Sequence, residues 1–67
     1  MQLTDEIRQK ILGFQRTEIT EHHIYMRLAK KIKSPENAKI IEQIGMDEIR
    51  HHNGWKQYTH EEVAPNW

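Results

Sequence analysis

Apolar residues recur along the first half of the chain at alternating intervals of four and three. Ile7, Ile11, Phe14, Glu18, Glu21, Tyr25, Leu28 and Ile32 form one row with spacings 4, 3, 4, 3, 4, 3, 4, the seam of a helix packed in an antiparallel bundle. A partial second row, Leu12, Ile19 and Met26, widens the face. Thr4, followed by Asp5 and Glu6, supplies an N-cap and acids in the first turn. The first helix is therefore expected over about 5–33, running straight through Gly13. Lys30, Lys31 and Lys33 complement the dipole at its end, and Ser34-Pro35-Glu36 caps and opens a second helix, expected over about 35–59. Its own row is Ala38, Ile41, Ile44, Glu48, His51, Trp55 and Tyr58. Thr59-x-x-Glu62 has the pattern of a cap for one more short turn. The fold class is all-α, an antiparallel helical hairpin in a single domain spanning 1–67.

Acids interrupt both rows where core residues belong. The short link makes the helices antiparallel neighbours. Counting from Lys33, Glu18 lies 15 residues before the turn and Glu48 15 after it, so both are expected about 22 Å from the bend and facing each other. Glu48-Ile49-Arg50-His51 places a carboxylate and an imidazole three apart on one helical face, a donor pair suited to a first-row transition metal such as iron. A buried, unpaired carboxylate is costly unless it is neutralised, hydrogen-bonded or metal-bound. Glu21, one turn nearer the bend, reads either as a further ligand or as a solvated residue at the edge of the row. His22, His23, His52 and His60 fall off the rows and are expected at the surface, His22 nearest the acids. Tyr25, Trp55 and Tyr58 read as core aromatics, with Tyr25 in reach of a ligand or a bound oxidant. Gly45 reads either as a place of close approach or as a tolerated surface glycine.

Sixty-seven residues seldom bury enough apolar surface for stability alone, so a metal or an oligomer is expected. A second copy on the open face completes a four-helix bundle. Two-fold symmetry then turns Glu18, Glu48 and His51 into four glutamates and two histidines, the donor set of carboxylate-bridged di-iron bundles. With no Cys in the chain, disulfides, iron–sulfur clusters and Cys-ligated zinc are excluded. Ten basic and ten acidic residues balance, so no net field points to nucleic acid or an anionic membrane. No apolar run approaches the length of a membrane span. Expected partners are another copy in a homodimer or higher homo-oligomer and small molecules, and a cytoplasmic location is the default.

Two segments carry a family resemblance. Gln15-Arg16-Thr17-Glu18-Ile19-Thr20-Glu21-His22-His23-Ile24-Tyr25, with a glutamate followed seven residues later by tyrosine, and Asp47-Glu48-Ile49-Arg50-His51 together resemble the rubrerythrin-type branch of the ferritin-like superfamily over roughly residues 7–60. The resemblance implies a di-iron protein of ferroxidase or peroxidase type. Glu18, Glu48 and His51 would hold iron, with manganese or zinc as substitutes, and Glu21 would be an additional or alternative ligand. Asp47 would orient an imidazole, and Tyr25 would hydrogen-bond a ligand. Fe(II) with oxygen or peroxide would be the substrates. Members of the family usually carry four helices in one chain, so the resemblance implies either a half-bundle that dimerises, as in encapsulin-associated ferritins, or a piece of a longer ferritin-like protein, some of which are fused to a membrane iron transporter. The absence of a Cys-rich rubredoxin module argues against NADH-linked peroxidase activity. The alternative from another class is a non-catalytic module, a dimerising hairpin with a structural metal or none.

Overall fold

The computed structural model describes residues 3–66. Two helices, α1 (Asp5–Lys31) and α2 (Pro35–Thr59), form an antiparallel hairpin. Each begins where its cap predicts. The Thr4 side chain accepts the Ile7 N–H at 3.2 Å, and Ser34 accepts the Asn37 N–H at 3.4 Å ahead of Pro35. Gly13 leaves α1 unbroken. The first helix stops two residues earlier than expected, at Lys31. Ile32 is extended (φ −82°, ψ 126°), because residues 32–34 must reverse the chain and present Ser34 in the non-helical geometry an N-cap requires.

α2 ends at His60, whose left-handed conformation (φ 59°, ψ 25°) costs a non-glycine residue about 1 kcal/mol. The short turn expected after Thr59 does not form. The Thr59 hydroxyl donates to Gln15 Oε1 at 2.5 Å and accepts from the Glu61 N–H at 3.4 Å. Residues 60–66 instead run back along α1. The Glu61 carbonyl accepts from Gln15 Nε2 at 2.9 Å, Arg8 pairs with the Glu61 carboxylate at 2.5 Å, and the Asn66 N–H donates to Thr20 Oγ1 at 2.8 Å.

The helices meet along a seam displaced from the apolar rows. Ile11, Gln15, Ile19 and Ala29 of α1 are buried, as are Gly45, His52 and Thr59 of α2, the last three at seven-residue spacing. Gln15, His52 and Thr59 are the most completely buried side chains among the described residues. His52, expected at the surface, is 1 % exposed. Conversely, Ile7, Phe14 and Leu28 of the first row, and Ile44 and Tyr58 of the second, are exposed. Small and hydrogen-bonded residues let the two backbones approach, and the larger apolar side chains are left on an open face. The hairpin measures 46 × 22 × 13 Å, one helical layer, and a single layer has nothing to bury a second apolar face against.

Gly45 marks the closest approach. A Cβ there would lie 3.0 Å from Met26 Sδ and 3.2 Å from Tyr25 Cβ, and the Gly45 carbonyl accepts from His22 Nδ1 at 2.7 Å. At Gly13 an added Cβ meets nothing within 4 Å. Replacing a helical glycine with alanine gains about 0.8–1 kcal/mol of propensity, whereas overpacking a tight contact costs about 1–3 kcal/mol. Gly13→Ala is therefore expected to raise the urea midpoint, and Gly45→Ala to lower it by on the order of 1 kcal/mol net, despite the same propensity gain.

Candidate metal centre

Three-residue spacing puts Glu18 with Glu21 on α1, and Glu48 with His51 on α2, on the open apolar face. His51 Nδ1 lies 3.2 Å from Glu48 Oε1. An ionised carboxylate only accepts, so in this contact Nδ1 would be the donor and Nε2 is the ring nitrogen not engaged by Glu48. The Glu48 side chain is 15 % exposed and that of His51 58 %, so the pair runs from the interior of the face to its surface. Glu21 hydrogen-bonds Glu48, which raises the Glu21 pKa above the ordinary carboxylate value, with burial and the charge of Glu48 adding in the same direction. A second carboxylate beside it disfavours the ionised form of Glu21.

Glu18 is held differently. Trp55 Nε1–H donates to Glu18 Oε1 at 3.4 Å, while Glu18 Oε2 is buried with no hydrogen-bond partner. Trp55 stacks at a tilt between Phe14 (5.6 Å) and Tyr58 (6.4 Å). Beside it opens a cleft of about 590 Å³ lined by Glu18, Arg50, His51, Gly54, Trp55 and Tyr58. A buried carboxylate oxygen without a donor is costly as an anion, and a cation is what would satisfy it. Carboxylate and imidazole donors of this kind suit a hard or borderline divalent metal.

The structure differs from the sequence count in one respect. Glu21, not Glu18, meets Glu48, while Glu18 faces Trp55 and shares the cleft with His51. Equal counting from Lys33 assumes a symmetric turn. The two helices pack with an offset of about one helical turn from that count at this level, and Glu21 takes its place as the inner partner. Asp47 accepts from Arg50 and from Gln43 Nε2 (3.2 Å), both on its own helix. Tyr25 lies against Gly45. His22 is fixed by the Gly45 carbonyl and faces His23 edge-on at 5.1 Å. His52 has Nδ1 3.1 Å from Asn53 Oδ1 and a buried Nε2 without a partner. Gln15, His52 and Thr59 lie in the seam although His52 is expected at the surface and Thr59 as a cap, because an apolar pattern does not report polar packing. Their signal is the seven-residue spacing Gly45, His52, Thr59 opposite Arg8, Gln15, His22, Ala29.

Among the described residues of one chain, no three His, Cys, Asp or Glu side chains converge closely enough to hold a metal ion. No helix among them is long and apolar enough to cross a membrane. No family model, curated protein or solved structure matches the chain significantly.

The raised Glu21 pKa has a direct consequence for metal-free protein. Glu21 binds its proton more tightly folded than unfolded, so its contribution to stability is full below about pH 4.5 and is lost as pH rises from there through the raised value. Glu62, lowered by Lys56, acts in the opposite sense and only below pH 4.5. With a chelator present, the urea midpoint should therefore fall as pH rises above 4.5, and Glu21→Gln should flatten that fall. An unchanged slope in the variant would show that Glu21 is not the titrating group.

Proposed function

We propose that this chain is one half of a di-iron carboxylate centre that oxidises Fe(II) with oxygen or peroxide, the other half being a second copy that turns the hairpin into a four-helix bundle. The observation that supports the reading is the placement of Glu18, Glu21, Glu48 and His51 along the open face among exposed apolar residues, with Glu18 Oε2 buried without a hydrogen-bond partner and Glu21 hydrogen-bonded to Glu48. Surface acids have no reason to sit there, and a core would not tolerate them without compensating charge. The shortage of ligands within one chain is what a shared centre requires. Covering the face with its own copy doubles the carboxylates and excludes water from them.

In this reading Glu18, Glu48 and the Nε2 of His51 hold the metal, and Glu21 is a further carboxylate ligand once its proton has left. Bound iron supplies one-electron chemistry: two ferrous ions together deliver the electron pair that converts peroxide and two protons to two waters, or oxygen and two protons to peroxide. Carboxylates favour the ferric product because they are hard anionic donors. The Glu48 contact orients the His51 ring and sets its tautomer. Trp55 holds one oxygen of Glu18, and the apolar rim of Phe14, Ile44 and Tyr58 keeps bulk water away from the acids once covered. Glu21, whose ionised form is disfavoured beside Glu48, would bind metal with loss of any proton it carries.

The rival, a dimerising module with a structural metal, is favoured by one observation. The hairpin is closed at its chain ends through Gln15, Thr59 and Glu61, away from the acids. Loading separates the two readings. Anaerobic Fe(II) followed by air should give a ferric oxo-bridged absorption band, and metal at a hundred times its Kd should stabilise by about 2.7 kcal/mol, a rise on the order of 10–20 °C in Tm at about 4–8 °C per kcal/mol for a domain of this size. Glu48→Ala should lose both effects. Equal Tm responses in the two proteins would remove the site, and zinc binding without ferrous oxidation would leave only the structural module.

A further inference from the structure

The formal charge of the chain is zero, but it is unevenly spread. Residues 27–39, which close α1, form the turn and open α2, carry Arg27, Lys30, Lys31, Lys33 and Lys39 against Glu36. Five cations against one acid give +4, so the remainder of the chain carries −4. We propose that this turn is a docking surface for an anionic phospholipid bilayer. The inference is independent of the metal and of the second copy on the open face.

Away from the turn, cations are used within the fold. Arg8 pairs with Glu61, Lys10 with Glu6, Arg50 with Asp47 and Lys56 with Glu62. At the turn, Lys30, Lys31, Lys33 and Lys39 are exposed, and among the described residues none of these four side chains has an ion-pair or hydrogen-bond partner. A helix-end role accounts for part of the set, since Lys30 and Lys31 lie in the last turn of α1, where cations complement the dipole. It does not account for Lys33, which directly precedes the Ser34 cap of α2, or for Lys39 in the second turn of that helix. Both lie toward the positive end of the α2 dipole.

Apolar exposure identifies the kind of anion. Among the described residues Ile40 is the most exposed large apolar side chain at 60 %, and Ile24 is 48 % exposed. Both lie within about two helical turns of the bend. Ile40 follows Lys39, and Ile24 shares a helical strip with Leu28 and Lys31. Neither isoleucine belongs to the apolar rows, so packing along those rows does not account for them. A bilayer interface takes both kinds of group together: ammonium groups sit among lipid phosphates, lysine stems lie along the acyl boundary, and aliphatic side chains enter it. Nucleic acid fits less well, because it is gripped by aromatic stacking and arginine forks. Residues 27–41 contain no aromatic residue and one arginine.

The charge division also favours contact through the turn. The acidic remainder then extends along a body 46 Å long, most of it beyond the Debye length of about 8 Å at physiological salt, and its repulsion by anionic headgroups is screened. Contact along the side would bring those acids to the surface.

Flotation with a chelator present tests the proposal, using vesicles of phosphatidylcholine alone and of equimolar phosphatidylcholine and phosphatidylserine. Wild type should float only with the anionic vesicles, and molar salt should release it. Lys31→Gln combined with Lys33→Gln should weaken partitioning on the order of twenty-fold, about five-fold per lysine near the surface. Lys10→Gln combined with Arg16→Gln removes the same charge from exposed positions remote from the turn and should change partitioning by less than about two-fold at that distance. Equal losses in the two double variants would make binding a matter of overall charge and overturn the turn as the surface. Absence of wild type from the anionic vesicles, equal flotation with phosphatidylcholine alone, or tighter binding to a mixed-sequence oligonucleotide would overturn the bilayer.

Discussion

Two helices in one layer have a single mutual face, and every other property of this chain follows from how that face is used. The hairpin spends its contact on Gly45, Ala29 and a hydrogen-bonded set of Gln15, Thr59 and the Glu61 carbonyl. Its larger apolar side chains are left outward. Most soluble monomers do not leave such a continuous surface bare, and here the surface surrounds Glu18, Glu21, Glu48 and His51. In the dimer proposed above, a covering layer would bring apolar area to the open face and counter-charge to the half-buried acids.

The polar seam explains why the hairpin holds together on its own. Gln15 satisfies the Thr59 hydroxyl and the Glu61 carbonyl at once, so the end of α2 and the returning segment are tied to α1 by groups with no unmet partner at that point. Arg8 adds the Thr59 carbonyl at 2.5 Å and the Glu61 carboxylate. These contacts secure the chain ends, and Gly45 with His22 secures the middle of the hairpin. The acids lie between the two ties.

Much of this was legible in the chain itself. The caps Thr4 and Ser34, the Pro35 start and the 4-3 spacing gave both helices and their antiparallel order, because those signals are local. The inner seam was not legible, because packing through glycine, alanine and hydrogen-bonded polar residues leaves no hydrophobic period to read. His52 was misplaced for that reason, and the apolar rows proved to face mainly outward. The candidate site was legible in composition but not in register. Glu18, Glu21, Glu48 and His51 all reach one face, yet the helices pack with an offset of about one helical turn from equal counting, so Glu21 rather than Glu18 meets Glu48. Sequence separation from a bend cannot report how three residues of that bend are folded.

The central claim is that metal and second copy arrive together. Native mass spectrometry of anaerobic protein across a ferrous titration reads both in one spectrum. The account predicts apo chains shifting to dimers that carry two irons, with no metal retained on the monomer. Iron bound stoichiometrically by single chains, or dimers that form fully yet never take up metal, would contradict it.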